Sequence, residues 1–142
     1  MNRFKTYATA FVFTLALLLT NQSFAQLASF DERSPAWWDA LEQQLAGSLD
    51  QSIDQIQDET LQHVIFFATN HADKVDLTEL TPKLLDMYAN DTNQARRTMS
   101  IVALHAIGNE MSMRRLAELA ENEPAGSIRN ITMAVLADYF SG

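Results

Sequence analysis

Apolar residues recur at helical spacing along most of this chain. Trp37, Leu41, Leu45, Leu49, Ile53 and Ile56 follow one another at steps of four, four, four, four and three, a stripe down one face of a helix. Ser34 and Pro35 open it, as a hydroxyl N-cap followed by a proline whose missing N–H costs nothing at the first helical position. Gly47 and Ser48 are placed to split this run in two. Residues 58–70 read as a second helix in which Leu61, Val64, Ile65, Phe66, Phe67 and Ala68 leave little polar surface. A helix apolar nearly all round must be covered on all sides, so this one is central.

Asp76, with Glu79 three residues on, makes an Asx version of a capping box and opens the next helical segment. Pro82 then either kinks that helix or restarts it with Thr81 as the cap. Leu84, Leu85, Met87 and Tyr88 supply the buried face. Residues 92–107 form a longer helix closed by Gly108 in the left-handed conformation. Residues 110–122 follow, Pro124-Ala125-Gly126 breaks the chain, and Ser127 caps a final helix to about Phe140. No segment alternates with a period of two between turn signals, so no strand is predicted and the class is all-α.

Two of these helical stretches echo each other at an offset of 32 residues. Lys83 falls on Arg115, Leu84 on Leu116, Asp86 on Glu118, Met87 on Leu119 and Asn90 on Asn122. Further on, Asp91 meets Glu123, Arg97 meets Arg129, Met99 meets Ile131, Ser100 meets Thr132 and Leu104 meets Leu136. A repeat of this length built from two helical patterns predicts an array of about three antiparallel helix pairs, each burying its apolar face against its neighbours.

The stretches NQARRTMSIVALHAIGN (residues 93–109) and GSIRNITMAVLADYF (residues 126–140) resemble the second helices of HEAT-like repeats, in which an arginine near the helix start precedes an Ala/Leu-rich run. Asp91-x5-Arg97 and Glu123-x5-Arg129 match the acidic-to-basic spacing such repeats use at the turn between their helices, and Pro82 stands where a first-helix proline often occurs in the family. The period is similar to that of the short, phycobilisome-lyase-like type. The resemblance covers residues 77–142. Residues 34–70 share the helix-pair layout without the acidic-x5-basic pair: at an offset of 35, Gln62 stands at the Arg97 position, which leaves open a diverged repeat or a cap. The resemblance implies a right-handed α-solenoid, with Asp91, Arg97, Glu123 and Arg129 as structural turn pairs. It also implies a scaffold or binding surface, since only a minority of the family are lyases on bound pigments.

The ends change the picture more than the composition does. Arg3 and Lys5 precede a mostly apolar run over residues 8–19, and Ser23 and Ala25 are small residues at the −3 and −1 positions of a cut before Gln26. Residues 1–25 therefore read as a signal peptide, with an uncleaved anchor as the alternative, and the protein as periplasmic or secreted. Twelve apolar residues fall short of the ~20 that span a bilayer, so no stable membrane insertion is expected after cleavage. Residues 26–33 read as a linker and residues 34–142 as the repeat domain. The chain has no cysteine, which excludes a lipid-modified cysteine and any disulfide framework. Of 10 Lys and Arg, Arg3 and Lys5 precede the cut, leaving 8 against 18 acidic residues from Gln26 onward, a net −10. Such a surface repels phosphate backbones, so nucleic acid is not an expected partner.

Candidate chemistry is sparse. His63 and His71 lie eight apart and His105 stands elsewhere, a spacing that does not suit a metal, so no metal ligands and no cofactor are assigned. There is no Gly-x-Ser-x-Gly elbow and no phosphate-cradling glycine loop, so no catalytic residue is assigned and the protein is read as no enzyme. Arg96, Arg97, Arg114, Arg115 and Arg129 cluster late in the chain. Arg97 and Arg129 tie turns to Asp91 and Glu123, and the others lie in solvent, so losing Arg97 is expected to cost more than losing Arg96. Trp37 and Trp38 are adjacent and cannot both face inward. The outer ring either marks a contact patch or is covered by the linker.

The expected function is a non-enzymatic exported interaction module that binds a protein or peptide, with Trp37, Trp38, Tyr139 and Phe140 as partner-binding residues. The alternative is a self-associating structural protein, a homodimer through its C-terminal helix, because Ile128, Ile131, Met133, Val135, Leu136, Tyr139 and Phe140 crowd a helix that no polar cap follows.

Overall fold

A computed structural model describes residues 30–142. The segment read as a signal peptide and most of that read as a linker, residues 1–29, lie outside the described residues. Within them the protein is all-α, with six helices and no strand. Helix α1 (Pro35–Leu49) opens as expected, the Ser34 hydroxyl accepting the Trp37 N–H at 3.3 Å. Gly47 does not split it. The break comes after Leu49, and Ile53, the one exposed member of the apolar stripe, lies in the turn. Helix α2 (Asp54–Asn70) starts four residues earlier than the periodicity predicted.

Asp76 accepts the Thr78 N–H at 2.9 Å, but the segment it opens is a single 3₁₀ turn (Thr78–Leu80) instead of an α-helix. Pro82 restarts the chain as helix α3 (Thr81–Asn90), where its ring fits the first turn. Helix α4 (Gln94–Ile107) starts two residues later than expected and is capped by Asn93, whose side chain accepts the Arg96 N–H at 3.1 Å. Gly108 ends α4 with φ +67°, the left-handed conformation that glycine takes without penalty. Asn109 caps helix α5 (Glu110–Ala120) in the same way as Asn93. Helix α6 (Gly126–Ser141) has no side-chain cap, and Ser127 is already inside it.

Consecutive helices pack as pairs, α1 on α2, α3 on α4 and α5 on α6; α4 also touches both α2 and α6, and α3 touches α5. One apolar core runs through all of them from Phe30 to Leu136. Helices α2, α4 and α6 share a register. The seventh residue of each is a buried hydroxyl, Thr60, Ser100 or Thr132. Each donates to the carbonyl four residues back, at 2.6, 2.9 and 2.7 Å. A hydroxyl buried in this way stays satisfied without any partner from another helix.

The register corrects one alignment. Ser100 and Thr132 keep the offset of 32, but α2 and α4 begin at Asp54 and Gln94, 40 residues apart. Gln57, not Gln62, therefore stands at the Arg97 position, and it does the same work. Its amide donates to the Leu49 carbonyl at the end of α1 (3.1 Å), as Arg97 Nε donates to the Tyr88 carbonyl near the end of α3 (2.6 Å). Both satisfy carbonyls that a helix C-terminus leaves open. The longer α2 and the connection that follows it stretch this unit and hid the match.

Leu104 and Leu136 occupy equivalent places, and both are buried. We expect Leu104→Ala to destabilise by about 3 kcal/mol and Leu136→Ala by about 2 kcal/mol, because the terminal helix can relax into the space left behind. Urea midpoints check this. A trivial shift at either site contradicts the shared register.

Candidate functional site

The inter-helix turns are held by carboxylates that each bind a backbone N–H of the turn and an arginine. One Asp91 oxygen accepts the Asn93 N–H at 2.8 Å, and one Glu123 oxygen accepts the Ala125 N–H at 3.0 Å. The arginines that meet these carboxylates are not the expected ones. Asp91 pairs with Arg96 Nη1 at 3.1 Å, while Arg97 pairs with Glu123 of the following turn and lies over the Tyr88 ring at 5.4 Å. An acidic residue six positions back was the wrong partner because Arg97 points along the array toward the next turn. Arg129 is exposed, and its charge reaches Glu123 without an ion pair closer than 4 Å among those found.

Arg96 is also not in solvent. It is 6% exposed, its Nε meets Asp58 at 2.9 Å and its Nη2 meets Asp54 at 3.2 Å, so it joins α2 to the α3–α4 turn. Arg114 and Arg115 do lie in solvent, paired with Glu110 and Glu118 on their own helix, where such pairs contribute little. Burial alone would raise the Glu123 carboxyl. The Arg97 hydrogen bond, the Ala125 N–H and the charges of Arg97 and Arg129 outweigh it and hold the group below the usual carboxylate range.

At the N-terminal end, Trp38 is buried and Trp37 half-buried. The linker covers the outer ring: Phe30 packs 5.7 Å from Trp37, and the Arg33 guanidinium lies 5.4 Å above it. Phe30 is itself a core residue, touching Trp38, Phe66, Phe67 and His71. This part of the segment read as linker therefore belongs to the fold. An isolated Phe among charged residues has no periodicity to reveal that. His71 does end α2, but its ring is buried among these aromatics, with Nδ1 3.7 Å from Asp31. His63 is half-buried, and its imidazolium is disfavoured by burial against a smaller pull from Glu59. His105 meets Asp138 at 2.8 Å. Among the described residues, no three His, Asp or Glu side chains stand close enough to hold a metal ion.

The C-terminal end divides the two expected binding aromatics. Tyr139 is half-buried and donates its hydroxyl to the Gly108 carbonyl at 3.1 Å, which fastens α6 to the α4–α5 turn. Phe140 is 51% exposed, with the Arg114 guanidinium 6.0 Å from its ring. Met133, seven residues earlier on the same face, is 54% exposed, and Met111, one turn before Arg114, is 81% exposed. Ile131 is exposed on the other side of α6. Met133 is among the residues the sequence marks on this helix, whereas Met111 is one it does not single out.

Two clefts complete the surface. One, of about 260 Å³, lies over the Arg97–Glu123 pair and is walled by Tyr88, Leu119 and Pro124. The other, of about 300 Å³, lies between the ends of α2 and α4 and the 71–77 connection, walled by Ala68, Ala72, Val75, Asp76, Leu77 and Ile107. No protein family, curated protein or solved structure matches this chain.

Proposed function

We propose that this protein is an exported, non-enzymatic interaction module, a short HEAT-like right-handed α-solenoid of about three antiparallel helix pairs that binds a protein or peptide. The observation that carries this reading is the set of exposed apolar side chains Met111 on α5 and Met133 and Phe140 on one face of α6. Exposed large apolar residues grouped on an otherwise packed domain mark a contact site. The test immobilises the protein and a Met133→Ser/Phe140→Ser variant side by side and exposes both to periplasmic extract. A partner retained by the first and lost by the second supports the reading. Equal retention, or none by either, removes it.

The same surface also favours a second reading, a homodimer in which α6 packs on α6 of another copy. The two aromatics then behave differently. Phe140→Ser leaves helicity and the unfolding midpoint unchanged and abolishes self-association in sedimentation at micromolar concentration. Tyr139→Phe leaves association alone and costs about 1 kcal/mol of stability through its lost hydrogen bond. A strictly monomeric protein rules out the dimer.

A further inference from the structure

The net negative charge of this protein is not spread evenly. Residues 30–91 carry 13 Asp and Glu against three Arg and Lys, whereas residues 92–142 carry five of each. Within the acidic half, Glu42 of α1 feels the charges of Asp39 on its own helix, of Asp76 before the 3₁₀ turn and of Glu79 within it. Burial first, then the charges of Asp76, Glu79 and Asp39, push the Glu42 carboxyl above its ordinary range. Among the described residues no lysine or arginine lies within ion-pair distance of any of the four. The nearby Lys74 and Lys83 are taken by Asp73 and Asp50. Asp76 is at the same time a wall of the 300 Å³ cleft, whose other walls are mostly apolar.

One Asp76 oxygen is already engaged by the Thr78 N–H, which holds that group below its ordinary range. A recess walled mostly by apolar residues, beside four carboxylates that no lysine or arginine pairs, nevertheless has a defined complement. We propose that this cleft docks a basic peptide segment, with one branched aliphatic side chain seated against Ala68, Val75, Leu77 and Ile107. Lysine or arginine residues flanking that side chain would lie against Asp76, Glu79 and Glu42. The volume is at the low end for a ligand pocket and suits a side chain better than a drug-sized molecule. A second copy of this chain is a poor occupant: it brings the same net −10, and its exposed Arg114 and Arg115 are already paired on α5. The proposal deepens the interaction-module reading but uses a different surface from the α6 end, so either can fail while the other stands.

The test is fluorescence anisotropy of the protein, expressed from its full-length sequence, with three labelled pentapeptides: lysines around a central isoleucine, lysines around a serine, and glutamates around an isoleucine. The lysine–isoleucine peptide binds, its affinity falls as salt rises, and it exceeds the serine peptide by at least about tenfold, the worth of one buried aliphatic side chain. Glu42→Gln/Glu79→Gln weakens it about tenfold or more and flattens the salt dependence, while raising the unfolding midpoint by relieving the repulsion. Ala72 is exposed on the rim, so Ala72→Trp blocks the recess and abolishes the preference for isoleucine over serine without loss of helicity. Equal binding of the isoleucine and serine peptides overturns the proposal, as does equal binding of the glutamate peptide or none at millimolar concentration. Self-association that Glu42→Gln/Glu79→Gln removes assigns the cleft to a second copy and overturns it too. If Ala72→Trp does not fold, the peptide comparison and the charge variant decide alone.

Discussion

Arg96→Ala lowers the stability of this protein by about 3 kcal/mol, the low end of the cost of removing one member of a buried ion pair, because Asp91 shares the burial while Asp54 and Asp58 are exposed. The guanidinium is almost fully enclosed and serves three carboxylates at once, Asp54 and Asp58 on α2 and Asp91 in the α3–α4 turn. Hydrogen bonding to Asp58 comes first among the influences that favour its charged form, against an opposing effect of burial. Without it, Asp91 keeps a largely buried carboxylate, and two carboxylates one turn apart on α2 face it with nothing between them. Arg96→Lys recovers little, because an ammonium presents one point of charge where a planar fork meets three partners. Arg96→Met keeps the packing of the long stem and still loses most of the stability, which separates charge from volume. Urea unfolding with an unchanged slope is the measurement. A loss below about 1 kcal/mol means that the cluster is solvated and contributes as surface pairs do. Such a cost also reverses the placement expected from sequence, in which Arg96 was one of the solvent-facing arginines, and sets it beside Arg97.

That reversal shows where the sequence is legible. Helix number, the left-handed end at Gly108, the restart at Pro82 and the 32-residue match of Ser100 with Thr132 all depend on local chemistry or on a period, and both can be read from a single chain. Side-chain partners across helices cannot be read that way. Asp54 and Asp58 reach Arg96 from about 40 residues upstream, and an i, i+4 pair of aspartates is ordinary on any helix. The offset of 35 failed because the longer α2 and the connection after it displaced the register by several residues. At the candidate surfaces, the tryptophan pair was visible but its cover was not, since Phe30 sits in a charged stretch with no pattern around it. The exposed Phe140 was legible in the surplus of apolar residues on α6, more than one packing face can bury. The cleft joins the ends of α2 and α4 to the 71–78 connection, and no local signal announces it.

Arg97→Ala is expected to cost about 3–5 kcal/mol at neutral pH, and its cost depends on pH in a way that identifies the cause. In the intact protein Glu123 titrates below the usual carboxylate value of about 4.3. A group depressed on folding adds stability that is fully present above its unfolded value and is lost as pH falls through its folded value. Burial is the largest single influence on Glu123 and acts upward. With Arg97 gone, the Ala125 N–H and the more distant Arg129 are left to oppose it, so the folded value rises above the unfolded one. The sign then inverts: the ionised, buried carboxylate is a cost that sets in as pH rises through the raised value and vanishes in acid. The stability gap between the two proteins is therefore widest near pH 7 and shrinks by at least about half by roughly pH 4. Groups common to both cancel in the difference, which isolates this site. Glu123→Gln removes the pH dependence of the gap, and Arg97→Ala made on that background costs only about 1–2 kcal/mol, from the lost bond to the Tyr88 carbonyl and the contact with its ring. A gap that stays flat from pH 7 to pH 4 means that Glu123 reaches water once its partner is gone. The α5–α6 turn would then open independently of the helices it joins.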